Sequence, residues 1–519
     1  MSTQSPVDTS NPSTLEKIKA IFWPVNGYEN KKVIPMALMM FCVLFNYTIL
    51  RDVKDAIIIT APGSGAEVTN FLKIYGTLPM AILVMILYAK MSTLLKKTTL
   101  FYSTLSMFLI FFALFAFVIF PNKEFFNMSQ DTIQQLKGEY PRLQWFIPVI
   151  GYWTYSLYYV FSELWGTVAL SVLFWTFANE TTRSSEAQRF YALFGLVGNV
   201  GLIFSGGLLR WITSSSEVTG ASLDQVWGTN LKYITVAFLF FGGLIMFLYN
   251  WIQKNVLTDP RLYDPETMGT SKKKKKVKLS FTEGLKVVFS SKYLCFIAML
   301  VLGYGISINL VEITWKSQLK LQYPDTNSYV NFMGFFSQMT GFTTIILMIV
   351  GNNILRRLGW FTGAIITPVM VLITGASFFT FVIFRDDMTP LMAALTVTPV
   401  LLAVIVGAAQ NILSKSTKYS LFDPTKEMSY IPLDDNLKVR GKAAVDGVGG
   451  RLGKSGGAIM QQILLVSIVG STQITIAPIL AVIVMAIVGV WLFAVFGLSK
   501  QYYALRAKQE TKKSKTSAA

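Results

Sequence analysis

The feature that most constrains this chain is a series of apolar runs, each long enough to cross a lipid bilayer. A helix of roughly 20 residues spans the hydrocarbon core of about 30 Å. Hydrophobic residues make up 53% of the sequence and the mean hydropathy is +0.49, well above the usage of soluble domains. The sequence therefore predicts an all-α membrane protein with twelve transmembrane helices. The predicted runs are 34–50, 72–90, 100–120, 145–177, 190–209, 231–252, 291–311, 332–350, 361–384, 389–413, 444–469 and 473–497.

The fourth run is longer than a bilayer requires, so this helix is expected to tilt, protrude or break. The longest polar connection, 253–290, separates six runs from six. This is the plan of major-facilitator-like transporters, in which two parallel halves hold the substrate between them near the membrane midplane. The predicted segments are a cytoplasmic N-terminal segment 1–33, a first half 34–252, a linker 253–290, a second half 291–497 and a basic tail 498–519.

The net charge of +18 arises from 46 Lys and Arg against 28 Asp and Glu. If the N-terminus is cytoplasmic and the runs alternate in direction, cytoplasmic segments hold about three times as many Lys and Arg as outer ones. That bias is the positive-inside rule, and it predicts that both termini are cytoplasmic. The excess charge thus indicates orientation in a bilayer rather than a nucleic-acid partner. Contact with anionic lipid is an alternative role for the KKKKK run at 272–276 and for the tail.

The stretch GVGGRLGKSGG at 447–457 ends like a phosphate-binding loop, but its spacing fails. A Walker A loop needs glycine five residues before Gly453, and that position is Val448. The glycines instead repeat those of the fifth run, where Gly195, Gly198 and Gly201 have the same spacing. Small residues at such intervals let helices approach closely, so the stretch is predicted to be a helix.

Enzymatic chemistry has little support in the composition. The chain has no histidine, and its two cysteines, Cys42 and Cys295, lie in separate apolar runs and are expected to be free thiols. Neither a His or Cys metal site nor a histidine general base is available. Nucleotide hydrolysis needs an acidic Mg²⁺ cluster beside the phosphates, and Asp446 is the only acid near the Gly-Lys-Ser stretch. We therefore predict no catalytic residues, no metal and no cofactor.

Ionisable residues inside the apolar runs are the candidates for function. Each costs roughly 2.5–3.5 kcal/mol to insert, so it needs a partner or a purpose. Arg and Lys are the usual partners of phosphate, and aromatic rings near them would stack on a base. A central cavity with several cations and two isolated carboxylates suits a polyanion that carries polar groups at its other end. The predicted substrate-binding residues are Arg51, Lys54, Glu163, Glu312, Lys316, Asp446, Arg451, Lys454 and Tyr47.

Each candidate also has a purely structural interpretation. Arg51 and Lys54, which alternate with Asp52 and Asp55, could form a solvated outer end of the first helix. Glu163 could pair with a residue across the bundle, and Asp446 could neutralise a neighbouring cation. Glu312 and Lys316 have the i, i+4 spacing of a local helix salt bridge, worth a few tenths of a kcal/mol.

Five stretches resemble the ATP/ADP translocases of chlamydiae, rickettsiae and plastids, and most closely the chlamydial-type exchangers. The resemblance covers about residues 20–500, and its motifs are FNYTILRDVKDAI, APGSGAEV, FANETTRSSEAQRFYALFGLVGNVG, INLVEITWKSQLK and KAAVDGVGGRLGKSGG. It implies twelve helices, a major-facilitator-like architecture and exchange of host ATP for ADP, sometimes accompanied by phosphate. It also implies four transport-critical charges, which match Lys54, Glu163, Glu312 and Lys454.

The resemblance leaves sister activities open: proton-coupled nucleotide symport, with Glu163 or Glu312 as proton carrier, and exchange of NAD for ADP. The N-terminal segment does not look like a transit peptide, which favours a bacterial inner membrane over a plastid inner envelope. We predict a monomer that works by alternating access, with ATP and ADP as substrates and the bilayer as its surroundings. In that mechanism, an empty cationic site resists reorientation, and exchange becomes obligatory.

Overall fold

The protein is a bundle of long helices. The computed structural model describes Val25 and residues 27–215, 222–263, 281–388 and 396–518. Ten helices in this part are long and apolar enough to cross a membrane. The first six are α1 (Asn30–Thr60), α2 (Val68–Leu94), α3 (Lys97–Phe126), α4 (Trp153–Thr181), α5 (Ser184–Ser214) and α6 (Leu223–Asn255). The rest are α7 (Lys292–Gln322), the long helix Thr326–Ile383, α10 (Pro399–Ser429) and α12 (Ala477–Ala518).

The long helix Thr326–Ile383 is two helices joined at a sharp turn. Gly359 has φ 82° and ψ −177°, a conformation that residues with a side chain rarely adopt. We call the two arms α8 (326–358) and α9 (360–383). They correspond to the eighth and ninth predicted apolar runs. The sequence pattern therefore separated two helices that form one continuous helix, Thr326–Ile383, when only backbone hydrogen bonds are considered.

The glycine-rich stretch is helical, as predicted. A π-helical turn, Val445–Gly449, follows the helix Asp435–Ala444 and leads into α11 (Gly450–Ser467). The stretch 447–457 is thus not a loop that could wrap a phosphate. With 18 residues and several polar ones, α11 is shorter and less apolar than the ten helices above.

The glycines of α5 and α11 serve the predicted packing role. A Cβ atom on Gly305 of α7 would lie 2.8 Å from the Cα atom of Gly453 in α11, so these two backbones are in direct contact. Correspondingly, a Cβ atom on Gly201 of α5 would lie 3.1 Å from the carbonyl oxygen of Phe41 in α1. The glycine faces therefore pack α5 against α1 and α11 against α7.

The long fourth run breaks, as the sequence allowed, at Tyr152, so that the short helix Ile147–Gly151 precedes α4. Two other predicted boundaries differ from the structure. The tenth run is predicted over 389–413, but α10 begins only at Pro399. The basic tail from 498 continues α12 as a helix. The KKKKK run at 272–276 and the N-terminal segment before Val25 lie outside the described residues.

The two ends of the bundle are bonded differently. At the end that contains Thr60, hydrogen bonds cross between residues before 263 and residues after 281. The crossing pairs include Thr60–Thr326 at 2.6 Å between hydroxyls, Asn230 to Asn327 at 2.7 Å, Trp145 to the Ser471 carbonyl at 2.8 Å and Gln473 N–H to Glu67 at 2.8 Å.

At the opposite end, the bonds among described residues stay within one set of helices. Lys32 donates to Glu186 at 2.7 Å and Arg189 forms a bidentate pair with Glu29, all before residue 263. Tyr293 donates to the Ser429 carbonyl at 2.7 Å, after residue 281. The bundle is therefore closed by cross-bonding at the Thr60 end.

Candidate functional site

Two lysines occupy equivalent positions on α1 and α7. Both helices have 31 residues, and Lys54 and Lys316 are each the twenty-fifth residue of their helix. Both side chains are almost fully buried, at 4% and 7% exposed. Charged groups at this depth need partners of opposite sign, because an unpaired buried charge is strongly destabilising.

Asp55 provides one partner for both lysines. Its Oδ1 atom lies 2.6 Å from Lys54 Nζ, and its Oδ2 atom lies 2.8 Å from Lys316 Nζ. The carboxylate is 1% exposed and joins α1 to α7. The residue of α7 at the equivalent position is Ser317, which is uncharged. A single carboxylate thus lies between two equivalent cations.

Each lysine has a second carboxylate partner on its own side. Lys54 Nζ lies 3.0 Å from Glu163 of α4, and Lys316 Nζ lies 3.1 Å from Glu312. Glu312 also contacts Lys415 of α10, at 3.3 Å. We call Lys54 and Glu163 the N-terminal corner, and Lys316, Glu312 and Lys415 the C-terminal corner. The whole chain of contacts, from Glu163 through Asp55 to Lys415, alternates in sign.

Exposure shows which groups face the open space of the bundle. The outer members of the two corners are partly accessible: the side chain of Glu163 is 33% exposed, that of Glu312 is 22% and that of Lys415 is 19%. The two central lysines and Asp55 lie behind them. Glu163, Glu312 and Lys415 are therefore more accessible than Lys54 and Lys316.

Arg51 and Asp52 form a second connection between α1 and the far side of the bundle. Arg51 Nε donates to Asp52 at 2.9 Å, and Arg51 Nη2 donates to the Ser337 hydroxyl of α8 at 2.6 Å. Ser337 in turn donates to Asp52. The Arg51 side chain remains 17% exposed.

Aromatic rings lie beside the N-terminal corner. The ring of Tyr47, half-buried on α1, packs against Gly166, the first residue of a π-helical segment of α4. Any side chain at Gly166 would collide with this ring, since its Cβ atom would lie 2.8 Å away. Tyr159 lies under Lys54, with Nζ 4.0 Å from the ring centroid. These rings flank the space beside Glu163.

The structure thus brings together six of the nine predicted residues: Arg51, Lys54, Glu163, Glu312, Lys316 and Tyr47. Asp446 lies elsewhere, in the π-helical turn before α11, where it pairs with Lys426 at 2.8 Å. The side chains of Arg451 and Lys454 lie outside the described residues, so only their place on α11 is known.

One structural interpretation of the sequence is wrong. α1 extends to Thr60, so Arg51 and Lys54 lie inside the helix rather than at a solvated end. The local salt bridge between Glu312 and Lys316 does form, and each residue also has an ion-pair partner outside α7, which extends to Gln322. Hydropathy placed the helix ends too early because charged residues that face one another in the interior score as if they faced water.

Sequence reasoning missed three members of this site. Asp55 was noted only as a neighbour of Lys54, and Lys415 and Lys73 were not considered. Lys73 lies in a π-helical turn of α2, half-buried, and the charges of Lys316, Glu312, Glu163 and Lys54 act on it. Lys73 was detectable as a charge within the second apolar run and Lys415 lies just beyond the tenth, whereas Asp55 gains its importance only from the approach of α7.

Carboxylates neutralise part of the predicted cationic site. Among the described residues, Lys54, Lys316, Lys415 and Arg51 each lie within 3.3 Å of a carboxylate. Three lysines and three acids alternate, so this part of the site is close to neutral before any ligand arrives. Within the described part of the chain, no three His, Cys, Asp or Glu residues are grouped so that they could hold a metal.

Known proteins resemble this chain along almost its whole length. The TLC ATP/ADP transporter family matches residues 8–502. The chain is 49% identical over 506 residues to "ADP,ATP carrier protein 1" of Chlamydia muridarum, which covers 97% of this chain and 94% of the relative. It is 45% identical to the protein of that name from Rickettsia prowazekii, over 96% and 98% of the two chains. A chloroplastic ADP,ATP carrier of Arabidopsis thaliana is 45% identical, over 93% of this chain and 76% of the relative.

Solved structures resemble the fold at low sequence identity. A bacterial homologue of the iron transporter ferroportin aligns with a TM-score of 0.56 and 14% identity, covering 92% of this chain and all of the other. A xylose transporter from E. coli aligns with a TM-score of 0.50 and 12% identity, covering 92% and 98%. These likenesses support a major-facilitator-like helical fold. With its apolar helices and its matches to membrane carriers, the chain is a multi-pass membrane protein, and it belongs to the TLC ATP/ADP transporter family.

Proposed function

We propose that this protein exchanges ATP for ADP across a membrane by alternating access. The observation that carries the proposal is the buried chain of alternating charges from Glu163 to Lys415, which includes two equivalent lysines of α1 and α7. Relatives at 45–49% identity are named ADP,ATP carriers, and that name is applied to this chain here as a proposal. On this interpretation the protein is a transporter and not an enzyme.

The cations would hold the phosphates. Lys54 and Lys316 are compact point charges, and Arg51 offers planar donors, a combination suited to a polyphosphate. Because each lysine already contacts two carboxylates, phosphate oxygens would have to replace Asp55, Glu163 or Glu312 as its partners. On α11, Arg451 and Lys454 would add charge from the other half. Asp446 would neutralise Lys426, with which it pairs, rather than contact the nucleotide.

The opposite end of the nucleotide would lie beside Glu163 and Tyr47. Tyr47 presents an aromatic ring there, and Glu163 can accept hydrogen bonds from the amino group of a base or from a ribose hydroxyl. This arrangement places the base beside Tyr47 and the phosphates towards Lys316 and Lys415. It predicts that changes at the two corners affect different parts of the substrate.

The topology that we propose has twelve crossings in two halves of six, 34–252 and 291–497, with the segment 253–290 as linker. The match between Lys54 and Lys316 and the parallel packing of α5 on α1 and α11 on α7 support this division. Both termini would be cytoplasmic, in a bacterial inner membrane. The cross-bonded Thr60 end is then the outer face, and the structure is in an inward-open state. We propose that a monomer in the lipid bilayer is the functional unit.

Exchange fits this site better than proton symport. Glu163 and Glu312 each lie within 3.3 Å of a lysine, so a proton on either would leave that lysine short of a partner. Co-transport of phosphate and exchange of NAD remain proposals of second rank. ATP carries about one more negative charge than ADP, and import of ATP would work against an inside-negative potential by roughly 2.3 kcal/mol per 100 mV. The concentration gradients of the two nucleotides would drive the cycle unless phosphate moves with ADP.

The test uses the purified protein in lipid vesicles loaded with ADP, with ADP plus phosphate, with NAD or with buffer alone. Labelled ATP is then supplied outside, with and without a proton gradient. We expect rapid uptake in ADP-loaded vesicles, independent of the proton gradient. Uptake that follows the proton gradient and ignores internal ADP would establish symport instead. Uptake driven by internal NAD and not by ADP would move the protein to the NAD exchange activity.

A further inference from the structure

We infer that Asp55 is the residue that makes exchange obligatory, by locking the empty transporter in its outer-closed state; the inference rests on the proposed exchange function. Its carboxylate is the direct ionic contact between the two central lysines, at 2.6 Å from Lys54 and 2.8 Å from Lys316. Because Lys54 lies on α1 and Lys316 on α7, this contact joins the two halves at the depth of the substrate site.

Opening of the outer end requires α1 and α7 to separate near Thr60. Asp55 and Lys316 lie only about one turn from the cross-bonded layer, so this movement must break or stretch their ion pair. Without a substitute anion, Lys316 would keep Glu312 alone and Asp55 would keep Lys54 alone in the intermediate that precedes entry of water from the outer side. Breaking a buried pair in this way is strongly unfavourable, so the empty transporter stays closed.

A bound nucleotide supplies the substitute. A lysine ammonium group has three protons, and in the empty site Lys54 and Lys316 each already contact two carboxylates. Phosphate oxygens that approach these lysines compete directly with Asp55, which they also repel. Once the phosphates neutralise the lysines, separation of the halves no longer leaves a cation unpaired. The bound nucleotide can follow the lysines into the intermediate and outward-open states, whereas Asp55 cannot. The nucleotide therefore stabilises those states relative to the closed state, and the equilibrium shifts towards them.

The role belongs to Asp55 rather than to buried charge in general. The equivalent position on α7 is Ser317, so the two lysines share one carboxylate where a symmetric site would have two. Asp52, one turn away, contacts the other half only through the neutral hydroxyl of Ser337. Its ion pair with Arg51 lies within α1 and would persist when the halves separate. Glu163 and Glu312 are bonded on their own sides of the bundle. Asp55 is therefore a positioning residue for the lysines and acts through them.

The experiment compares Asp55→Asn with the unaltered protein, each in ADP-loaded and in buffer-loaded vesicles. The amide keeps the shape of the side chain and removes its charge. We expect the unaltered protein to be at least about tenfold slower in buffer-loaded vesicles, and Asp55→Asn to reach within about threefold of its own ADP-loaded rate, which is the signature of a transporter that reorients empty. Uptake by Asp55→Asn that stays strictly dependent on internal ADP would overturn the inference.

A matched control breaks a buried ion pair that does not cross the halves. Lys32 and Glu186 are buried, 2.7 Å apart, and both precede residue 263. Glu186→Gln removes that charge pair while an amide remains to accept the helix-capping bond from the Arg183 N–H. We expect exchange by Glu186→Gln to keep its dependence on internal ADP. If it transported freely into buffer-loaded vesicles, loss of any buried pair would explain the effect and Asp55 would have no special role.

A rescue variant uses the equivalence of α1 and α7. Asp55→Asn combined with Ser317→Asp moves the carboxylate to the matching position beside Lys316, from which it can reach Lys54. We expect this double variant to regain at least about tenfold preference for ADP-loaded vesicles. A double variant that remains uncoupled would contradict the locking role, because the charge would have been restored without the lock.

A second measurement reports the closed state directly and does not need transport. Thr60 and Thr326 have their hydroxyls 2.6 Å apart across the halves, close enough for a disulfide between cysteines at these positions once Cys295 is replaced by serine. We expect efficient cross-linking of the empty protein, less with ATP, and less in Asp55→Asn without nucleotide. Equal cross-linking with and without the Asp55→Asn substitution, in the absence of nucleotide, would show that this carboxylate does not hold the outer end closed. Failure of ADP-driven uptake by the unaltered protein would instead reject the exchange function. The cross-linking result would then still show whether Asp55 holds the outer end closed.

Discussion

The two corners of the site share a lysine and differ in what surrounds it. Lys54 and Lys316 have the same helix position, and Glu163 and Lys415 are also equivalent, since each lies three residues before a π-helical segment of its helix. At this second position the N-terminal corner has a carboxylate and the C-terminal corner has an ammonium group. The C-terminal corner obtains its own carboxylate from Glu312, one turn before Lys316.

This difference indicates how a repeated scaffold binds an asymmetric substrate. Identical lysines would hold the phosphates from both halves, while the opposite charges at the second position would distinguish the ends of the nucleotide. In the proposed orientation, Glu163 and the nearby ring of Tyr47 would contact the base and sugar, and Lys415 would contact phosphate. A site with strict two-fold symmetry would have no means of fixing the orientation of such a molecule.

The largest effect is expected from loss of a central lysine. Lys316→Met leaves Asp55 with Lys54 alone and Glu312 with Lys415 alone, and removal of one partner from a buried ion pair typically costs about 3–5 kcal/mol. We expect the ADP-driven uptake of ATP to fall by at least about a hundredfold. The control is Lys90→Met, at an exposed site near the end of α2, which should retain normal uptake. Near-normal transport by Lys316→Met would show that the two lysines are not equivalent in function.

The second prediction separates the corners. Lys415→Gln should raise the KM for ATP about tenfold, or roughly 1.4 kcal/mol, and should affect ATP more than ADP because ATP has the larger phosphate charge. Glu163→Gln should instead change the discrimination between ATP and GTP, whose bases present different hydrogen-bonding groups. Uptake kinetics for the three nucleotides provide the measurement. If both variants altered ATP and ADP alike and left base discrimination unchanged, our orientation of the nucleotide would be wrong.

A third prediction concerns the scaffold that holds the corners in register. Gly305→Ala would place a methyl group 2.8 Å from the Cα atom of Gly453, and overpacking of this kind typically costs about 1–3 kcal/mol. We expect a lower Tm in detergent and a smaller loss of uptake than for Lys316→Met. Gly195→Ala is the control, because the space around its Cβ position is open to 4 Å, and its Tm should not fall. Equal Tm values for the two variants would argue against close packing of α7 on α11.

The smallest predicted effect is a pH dependence at the closed end. Burial raises the pKa of the Glu67 carboxyl, against the opposing influence of the Gln473 N–H bond, Lys320 and Lys137. A carboxyl with a raised pKa binds its proton more tightly in the closed state, so acid stabilises closure and this contribution is lost as the pH rises through the raised pKa. We expect exchange to slow as the outer pH falls from about 7 towards about 5.

Glu67→Gln, which cannot titrate, should flatten that profile. The measurement is the initial rate of ATP uptake across this pH range at constant internal pH. The pKa of ATP itself lies near this window for all variants, so the ratio of the two rates at each pH is the quantity to compare. A constant ratio would show that Glu67 does not govern the dependence.

Much of the fold could be predicted from the sequence, because insertion in a bilayer depends on apolar length. The runs at 332–350 and 361–384 were separated at the turn that Gly359 forms, and the repeated glycines predicted the packing of α5 and α11. The site could be predicted in part for the same reason: a charge within an apolar run stands out. This argument singled out Lys54, Glu163 and Glu312. It left two roles open for Asp446, because its partner Lys426 lies 20 residues earlier and their pairing is visible only in the tertiary structure.

By itself, the sequence determined that this chain crosses a membrane many times and that a few ionisable residues lie within its apolar runs. Such residues stand out in the sequence because inserting a charge into a bilayer costs free energy. Only the tertiary structure decided how those groups pair. The distances from Asp55 to Lys54 and to Lys316 depend on the approach of two helices that are far apart along the chain. A one-residue change in the register of α7 would turn Lys316 away from Asp55, and no pattern within either helix alone records that register.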